Sequence, residues 1–273
     1  MAAAWRRARR PLGYGLLSLA LALAGYALVS NLFQLVDTRA LPRGLRVLLR
    51  PGILPPPQSL AASFRAILAD GTWAANLAAS LVRVLEGLAL GIGLGVGVGL
   101  AMAWVEAVDD YVEPVFNLLR PIPPLAFVTL FILWFGIGEV SKVLLITYGV
   151  FMITVIPAYQ GVRDIPEVYV KAARVLGATR RQLVWRVILP AAAPRILAGL
   201  RLSLMAAWGI IVAAELIAST SGLGYLIILA QTQYDTALVM VGIASLAVVG
   251  FLMDLLVRAA IARQTRWMRR AES

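Results

Sequence analysis

The sequence predicts an all-α, polytopic membrane protein. Of its 273 residues, 61% are hydrophobic and only 14% are charged, and the mean hydropathy is +0.85. Soluble proteins carry about 25% charged residues. Several apolar runs reach the roughly 20 residues that a helix needs to cross a bilayer, whereas a transmembrane β-barrel would show short alternating segments.

The apolar runs predict six transmembrane helices. They cover residues 12–36, 81–104, 115–135, 143–159, 196–217 and 237–261. Residues 12–262 therefore form one membrane domain between an N-terminal tail, residues 1–11, and a C-terminal tail, residues 263–273. An amphipathic segment, residues 61–79, is interrupted at Asp70-Gly71 and predicts an interfacial helix that leads into the second span.

The basic residues predict the orientation of these spans. Arginines are concentrated in both tails, and the loop between the fourth and fifth spans carries seven basic residues. An even number of spans places both tails on the side of that loop, so all three are predicted to be cytoplasmic. The first external loop has four arginines between residues 39 and 50, which is contrary to this rule. The three basic cytoplasmic segments outweigh this exception.

The composition excludes several kinds of chemistry. The chain has no Cys and no His, which excludes disulfides, thiol nucleophiles, histidine bases and most zinc sites. Its lysines are Lys142 and Lys171, and neither follows Gly, so the chain cannot bind ATP through a P-loop. The net charge of +11 fits the basic cytoplasmic edges of a membrane protein better than nucleic-acid binding.

Small residues line two faces of the second span. Gly91, Gly95 and Gly99 share one face of a helix, and Gly93 and Gly97 share another. Small residues at this spacing allow a second helix to approach closely, so close helix packing is predicted.

Charged residues inside or near the spans are candidates for function, because burying a charge in a membrane is costly. Arg83 and Glu86 are three residues apart and could instead satisfy each other on one helix. Glu215 stands alone near the outer end of the fifth span, which suits a pathway or gating role or, equally, a hydrogen bond to a neighbouring helix. Asp254 is placed to pair with Arg258.

The loop of residues 163–190 predicts two short helices. Asp164 could cap the first, with Pro166 in its first turn and Glu167 at the capping-box position. Glu167 and Lys171 form a favourable i, i+4 pair, and Gly177 ends the helix.

The second helix of this loop begins at a predicted capping box of Thr179 and Gln182. It is expected to run toward Leu189 and to stop near Pro190. A hairpin of this kind could bind a soluble partner or anionic lipid, and spacing alone does not decide between them.

The loop resembles the signature of permease subunits of ATP-binding-cassette importers: Glu-Ala-Ala, three residues, Gly, nine residues, Ile, one residue, Leu-Pro. The matching positions hold Ala172, Ala173, Gly177, Val187, Leu189 and Pro190. Val187 replaces the Ile, and Lys171 replaces the Glu and reverses its charge.

Other segments resemble the branch that imports nitrate, aliphatic sulfonates and taurine. They are residues 120–126, 134–139, 141–142, 207–208, 214–216 and 222–226. The resemblance adds Trp208 to Arg83, Glu86 and Glu215 as candidates for the translocation pathway.

The resemblance implies a type I ABC importer permease fold and a transport subunit rather than an enzyme. Its implied partners are cytoplasmic ATPases that bind ATP and Mg, a second permease copy expected to be identical, a periplasmic or lipid-anchored solute-binding protein, and lipid, in a bacterial inner membrane. The chain itself would need no cofactor. The 163–190 loop would couple to the ATPase, with Val170, Ala173 and Val175 as contact area and Lys171 and Arg174 at the rim.

The solute implied is a small anion such as a sulfonate, taurine, nitrate or bicarbonate, and an alternative is a heterocyclic vitamin precursor. Binding of an anion within the spans would depend on helix ends or on the side chain of Arg83 or Arg201. A secondary transporter would show internal repeats, which are not evident. An intramembrane enzyme would need a carboxylate pair or a Ser-Lys dyad, and Ser141 and Lys142 are sequence neighbours, a poor dyad geometry.

Overall fold

The computed structural model describes residues 18, 20–32, 34–35 and 54–264. Within these ranges the regular elements are helices and none is a strand, which confirms the all-α class. The predicted N-terminal tail and most of the predicted C-terminal tail lie outside the described residues.

From α2 onward the helices follow one another with short connections. They are α1 (Ala20–Leu32), α2 (Pro57–Ala69), α3 (Thr72–Trp104), α4 (Glu106–Leu119), a 3-10 turn (Pro124–Phe127), α5 (Val128–Phe135), α6 (Glu139–Arg163), α7 (Glu167–Val175), α8 (Arg180–Leu183), a π-helical turn (Val184–Ile188), α9 (Leu189–Ala218), α10 (Leu223–Thr232) and α11 (Thr236–Gln264). The interruption predicted at Asp70-Gly71 is present, with Gly71 at φ +78°.

Four of the six predicted spans correspond to long apolar helices in the described part of the chain. These are Thr72–Trp104, Glu139–Arg163, Arg180–Ala218 and Thr236–Arg263, each long enough to cross a membrane. The predicted first span is described only in part, as the 13-residue α1, so the count of six is compatible with the structure but rests on the sequence.

The predicted continuous third span is wrong. The chain forms α4 and then, after a break, residues Pro124–Phe135, with an angle of 84° between the two. The break contains Pro121 and Pro123, and Pro124 follows it directly; these prolines lack the backbone N–H that a continuous helix needs. If the bent pair is one span, it is a broken one.

The predicted glycine face of α3 packs against α6. A Cβ atom on Gly91 would lie 2.6 Å from a side-chain atom of Val150, and one on Gly95 would lie 2.8 Å from Thr154. The other predicted face is open, because a Cβ atom on Gly93 or Gly97 would meet nothing within 4 Å. Glycine therefore has a steric role only on the face toward α6.

The described chain divides into two compact units. One contains the described residues up to Thr72 with Ile227–Ile243, and the other contains Trp73–Leu226 with the part of α11 from Ala244 onward. The core of the second unit joins α3, α6 and α9 through fully buried side chains, among them Val84, Ile146, Leu204 and Ile211. All sites described below lie in this second unit.

Candidate functional site

The first helix of the 163–190 loop is short and exposed. It begins at Glu167 with Pro166 as its N-cap residue. The predicted cap by Asp164 is wrong, because its carboxylate forms an ion pair with Arg195 of α9 instead. The predicted pair of Glu167 and Lys171 is present; it lies in solvent, and Lys171 lowers the pKa of Glu167 below its ordinary value.

The end of α7 is a Schellman motif, as the glycine predicts. Gly177 has φ +79° and donates its backbone N–H to Arg174 at 3.0 Å, and Ala178 donates to Ala173 at 3.0 Å. Thr179 and Gln182 then form the predicted capping box. The C-terminal end of α7 and the start of α8 are therefore fixed by local bonds.

The predicted stop of the second helix near Pro190 is wrong. The chain passes from α8 through the π-helical turn, closed by a bond from the Leu189 N–H to the Val184 carbonyl, and continues into α9. Pro190 lies in the first turn of α9, where a missing N–H is tolerated. The loop is therefore joined rigidly to a long apolar helix.

The exposed apolar side chains of the loop differ from those predicted. Val175 is 87% exposed, as expected for a contact residue, but Val170 and Ala173 are half-buried. Leu176 is 86% exposed, and Val168 and Tyr169 are also exposed. Beneath α7 is a groove of about 350 Å³, lined by Trp104, Val162, Ile165, Glu167, Val170, Lys171, Arg174, Leu183 and Ile188.

A second site lies at the opposite ends of α6 and α9, where Arg83 of α3 organises a buried ion-pair network. Its Nε and Nη2 bind the two carboxylate oxygens of Glu139, the first residue of α6, with Nη2 at 2.7 Å. Its Nη1 donates to Glu215 at 2.7 Å and to the Ser221 carbonyl at 2.8 Å, and Nη2 also donates to the Ser221 hydroxyl at 2.7 Å. All five N–H donors of the guanidinium are used.

Glu215 fastens the turn between α9 and α10. It is fully buried and accepts from the Ser80 hydroxyl at 2.8 Å and from the backbone N–H of Gly224 at 2.9 Å. The same hydroxyl accepts from the N–H of Leu223 at 2.9 Å. The turn is therefore held by side chains of α3 and α9.

Two glycines make this arrangement possible. A Cβ atom on Gly222, which has φ +116°, would lie 2.2 Å from the Glu215 carboxylate, and one on Gly224 would lie 2.8 Å from Glu215 Cβ. Gly222 also donates its N–H to Asn76 at 2.7 Å. In the Gly-Leu-Gly segment, which the sequence singled out only by resemblance, the two glycines leave room for the buried Glu215 carboxylate, and Gly224 donates its N–H to it.

The network contains equal numbers of positive and negative side chains. Lys142, only 6% exposed, lies 3.4 Å from Glu139, whose side chain is 63% exposed. Two cations and two carboxylates thus neutralise one another, with Glu139 as the member that solvent reaches. A neutral network is the form in which buried charges are tolerated.

The structure revises two predictions about these charges. The pairing of Arg83 with Glu86 is wrong, because Arg83 points into the core while Glu86 is exposed on the other face of α3. Glu215 does not stand alone, and the alternative of a hydrogen bond to a neighbouring helix is confirmed. Trp208 is buried and donates its Nε1–H to Met253. The pathway role of these residues stays a prediction.

Comparison with known proteins identifies the family. Residues 91–266 match the family model described as the binding-protein-dependent transport system inner membrane component. The chain belongs to this family. It is a permease of the ABC transporter class, a transport subunit and not an enzyme, and ATP hydrolysis belongs to a partner chain. Members of the family work with an ATPase and a solute-binding protein.

Individual relatives agree with this assignment. The permease is 42% identical over 225 residues to the taurine transport system permease protein TauC of Escherichia coli (strain K12), covering 81% of this chain and 82% of the relative. It is 40% identical over 215 residues to the putative aliphatic sulfonates transport permease protein SsuC of Bacillus subtilis (strain 168), covering 79% and 78%.

A solved structure confirms the fold. An inward-facing structure of the MetNI methionine ABC transporter matches with a TM-score of 0.60 and 19% identity, covering 73% of this chain and 96% of that one. The predicted permease fold is therefore confirmed.

Proposed function

We propose that this permease carries a small anion of the sulfonate class, which it receives from an external binding protein. The similarity to TauC and SsuC across about four-fifths of the chain carries the proposal. Both relatives are described as permeases for compounds with a sulfonate group. Nitrate and bicarbonate are the other small anions to test.

We also propose that the 163–190 loop is the contact for the partner ATPase. In support, the C-terminal end of α7 and the start of α8 are fixed by local bonds, and Val168, Tyr169, Val175 and Leu176 are exposed. A rigid helix with exposed apolar side chains suits a groove of a partner protein. Because the loop continues into α9 without a hinge, a displacement of α7 by the ATPase also displaces a spanning helix.

The assembly proposed contains two identical permease copies and two ATPases, which bind ATP and Mg. The loop and both chain termini are placed in the cytoplasm, in agreement with the basic residues of those segments. Lys171 replaces the Glu of the family signature, but its pairing with Glu167 in solvent leaves the shape of α7 intact. The shape of α7 and its apolar surface, rather than the charge at this position, therefore carry the proposed contact.

The experiment is solute uptake by the complete transporter in proteoliposomes, with ATP enclosed. We expect ATP-dependent uptake of taurine or an alkanesulfonate, and no uptake driven by an ion gradient alone. Leu176→Asp should abolish uptake and weaken stimulation of the ATPase by the binding protein, while Leu176→Met should behave as the original protein. Uptake without ATP, or full coupling in Leu176→Asp, would contradict the proposal.

A further inference from the structure

Two arginines within the spans are candidates for binding an anion, and the structure separates them. All five N–H donors of Arg83 are occupied by protein acceptors, and its network is electrically neutral. An anion could bind there only by displacing a carboxylate. Arg201 has a different environment.

Arg201 belongs to a triad with Asp254 and Arg258 that joins α9 to α11. Arg201 Nε donates to Asp254 at 2.7 Å and its Nη2 lies 3.4 Å from the second carboxylate oxygen. Arg258 Nε donates to that oxygen at 2.6 Å, and its Nη2 is in contact with it as well. Within residues 54–264, Nη1 of both guanidiniums has no acceptor. The predicted pair of Asp254 and Arg258 is therefore present, with Arg201 as an unpredicted third member.

The triad carries a net charge of one positive unit, because one carboxylate faces two guanidiniums. Asp254 is buried, but the side chains of Arg201 and Arg258 are 45% and 54% exposed. Both arginines lie inside helices long and apolar enough to cross a membrane.

An exposed guanidinium that faces lipid tails is costly, because its charge is not solvated there. The neighbouring side chains Leu202, Met205 and Leu255 are apolar and exposed, so they offer no acceptor. The Nη1 donors of the triad are therefore available to an anionic group from outside the described residues.

We propose that Arg201 and Arg258 form a binding site for a tetrahedral oxyanion group, a sulfonate or a phosphate, with Asp254 positioning both guanidiniums. Asp254 engages Nε and Nη2 of each arginine, which leaves the Nη1 donors without an acceptor within residues 54–264. Planar guanidiniums held in place bind oxyanions through charge-assisted hydrogen bonds. The sulfonate of a transported solute rests on the proposed function, whereas the phosphate of an anionic lipid does not.

The test uses three glutamine variants of the full-length permease in complex with its ATPase. Arg201→Gln and Arg258→Gln each remove one guanidinium and leave Asp254 paired with the other, so the buried carboxylate keeps a partner. Arg263→Gln, on the same helix as Arg258 and also exposed, is the matched control for the loss of one positive charge. Arg201→Lys keeps the positive charge but removes the planar guanidinium group.

Two binding measurements distinguish the sources of the oxyanion. Equilibrium dialysis with radiolabelled methanesulfonate measures the free anion, and native mass spectrometry of complexes from phosphatidylglycerol vesicles counts retained anionic lipid, with phosphatidylcholine vesicles as reference. We expect Arg201→Gln and Arg258→Gln to weaken one of these interactions about tenfold, the loss of one charge-assisted contact. Arg201→Lys should recover only part of the affinity, and Arg263→Gln should change neither.

Each outcome bears on the site separately from the proposed function. Loss of methanesulfonate binding supports a solute site, and loss of retained phosphatidylglycerol supports a lipid site. Unchanged binding of both probes in Arg201→Gln and Arg258→Gln would overturn the site, even if the transporter takes up sulfonates. Lipid loss in these variants together with no sulfonate uptake by the original transporter would support the site and reject the proposed function.

Discussion

Arg83→Gln tests whether the buried network stabilises the fold of the permease. The substitution removes five hydrogen bonds and the positive charge that compensates Glu215, a carboxylate that is only 1% exposed. Removing one partner of a buried ion pair costs about 3–5 kcal/mol, because the other charge stays buried without compensation.

The structure places the expected loss near the lower end of that range. Glu139, the other carboxylate bound by Arg83, is 63% exposed and can be solvated after the substitution. Glu215 keeps its bonds to Ser80 and to the N–H of Gly224. The destabilisation therefore comes mainly from Glu215 and should be about 3 kcal/mol.

The assay is the thermal unfolding midpoint of the purified permease in detergent. A loss of about 3 kcal/mol corresponds to a fall of roughly 6–12 °C for a chain of this size. Adding Glu215→Gln to Arg83→Gln should recover part of the loss, because no buried carboxylate then lacks its cation. Arg65→Gln, which removes an exposed arginine of α2, is the control and should change the midpoint by about 2 °C or less. A midpoint for Arg83→Gln equal to that of Arg65→Gln would refute the reasoning.

Three further predictions concern the glycines and α7. Gly95→Ala should destabilise the permease by about 1–3 kcal/mol, because the added Cβ atom meets Thr154 at 2.8 Å, whereas Gly93→Ala should be neutral or stabilising by thermal unfolding, since that position is open. Gly222→Ala should lower the unfolding midpoint as much as Arg83→Gln, because its Cβ atom displaces the Glu215 carboxylate, and a normal midpoint would contradict the role of this glycine. Lys171→Ala should return the pKa of Glu167 toward its ordinary value in a carboxyl NMR titration. Because Lys171 lowers that pKa in the folded chain, the pair stabilises α7 above the ordinary pKa of Glu167, and this contribution is lost as the pH falls through the lowered value.

Local patterns predicted the elements that depend on neighbouring residues alone. Gly177 at the end of α7, the capping box of Thr179 and Gln182, and the pair of Asp254 and Arg258 were all predicted correctly. Each involves residues within five positions of one another, so spacing along a helix is sufficient to find them.

Predictions failed where a distant residue competes for the same side chain. The alternative that Arg83 pairs with Glu86, three residues away, is wrong because Glu139 and Glu215 bind it from α6 and α9. Asp164 was expected to cap α7, but Arg195 binds its carboxylate. The predicted helix end near Pro190 ignored a π-helical turn that allows proline in the first turn of α9.

The sequence by itself determined that the chain is helical and membrane-spanning, that it cannot hold ATP in a P-loop, and that it has the loop of an ABC importer permease. The first two properties follow from hydropathy and from missing sequence motifs, whereas the loop is assigned by its resemblance to a known family. Only the tertiary structure decided which distant charges meet, because the partners of Arg83 and Arg201 lie more than 50 positions away in the chain. It thereby showed that the donors of Arg83 are all used by Glu139, Glu215 and Ser221, whereas Nη1 of Arg201 has no acceptor within residues 54–264.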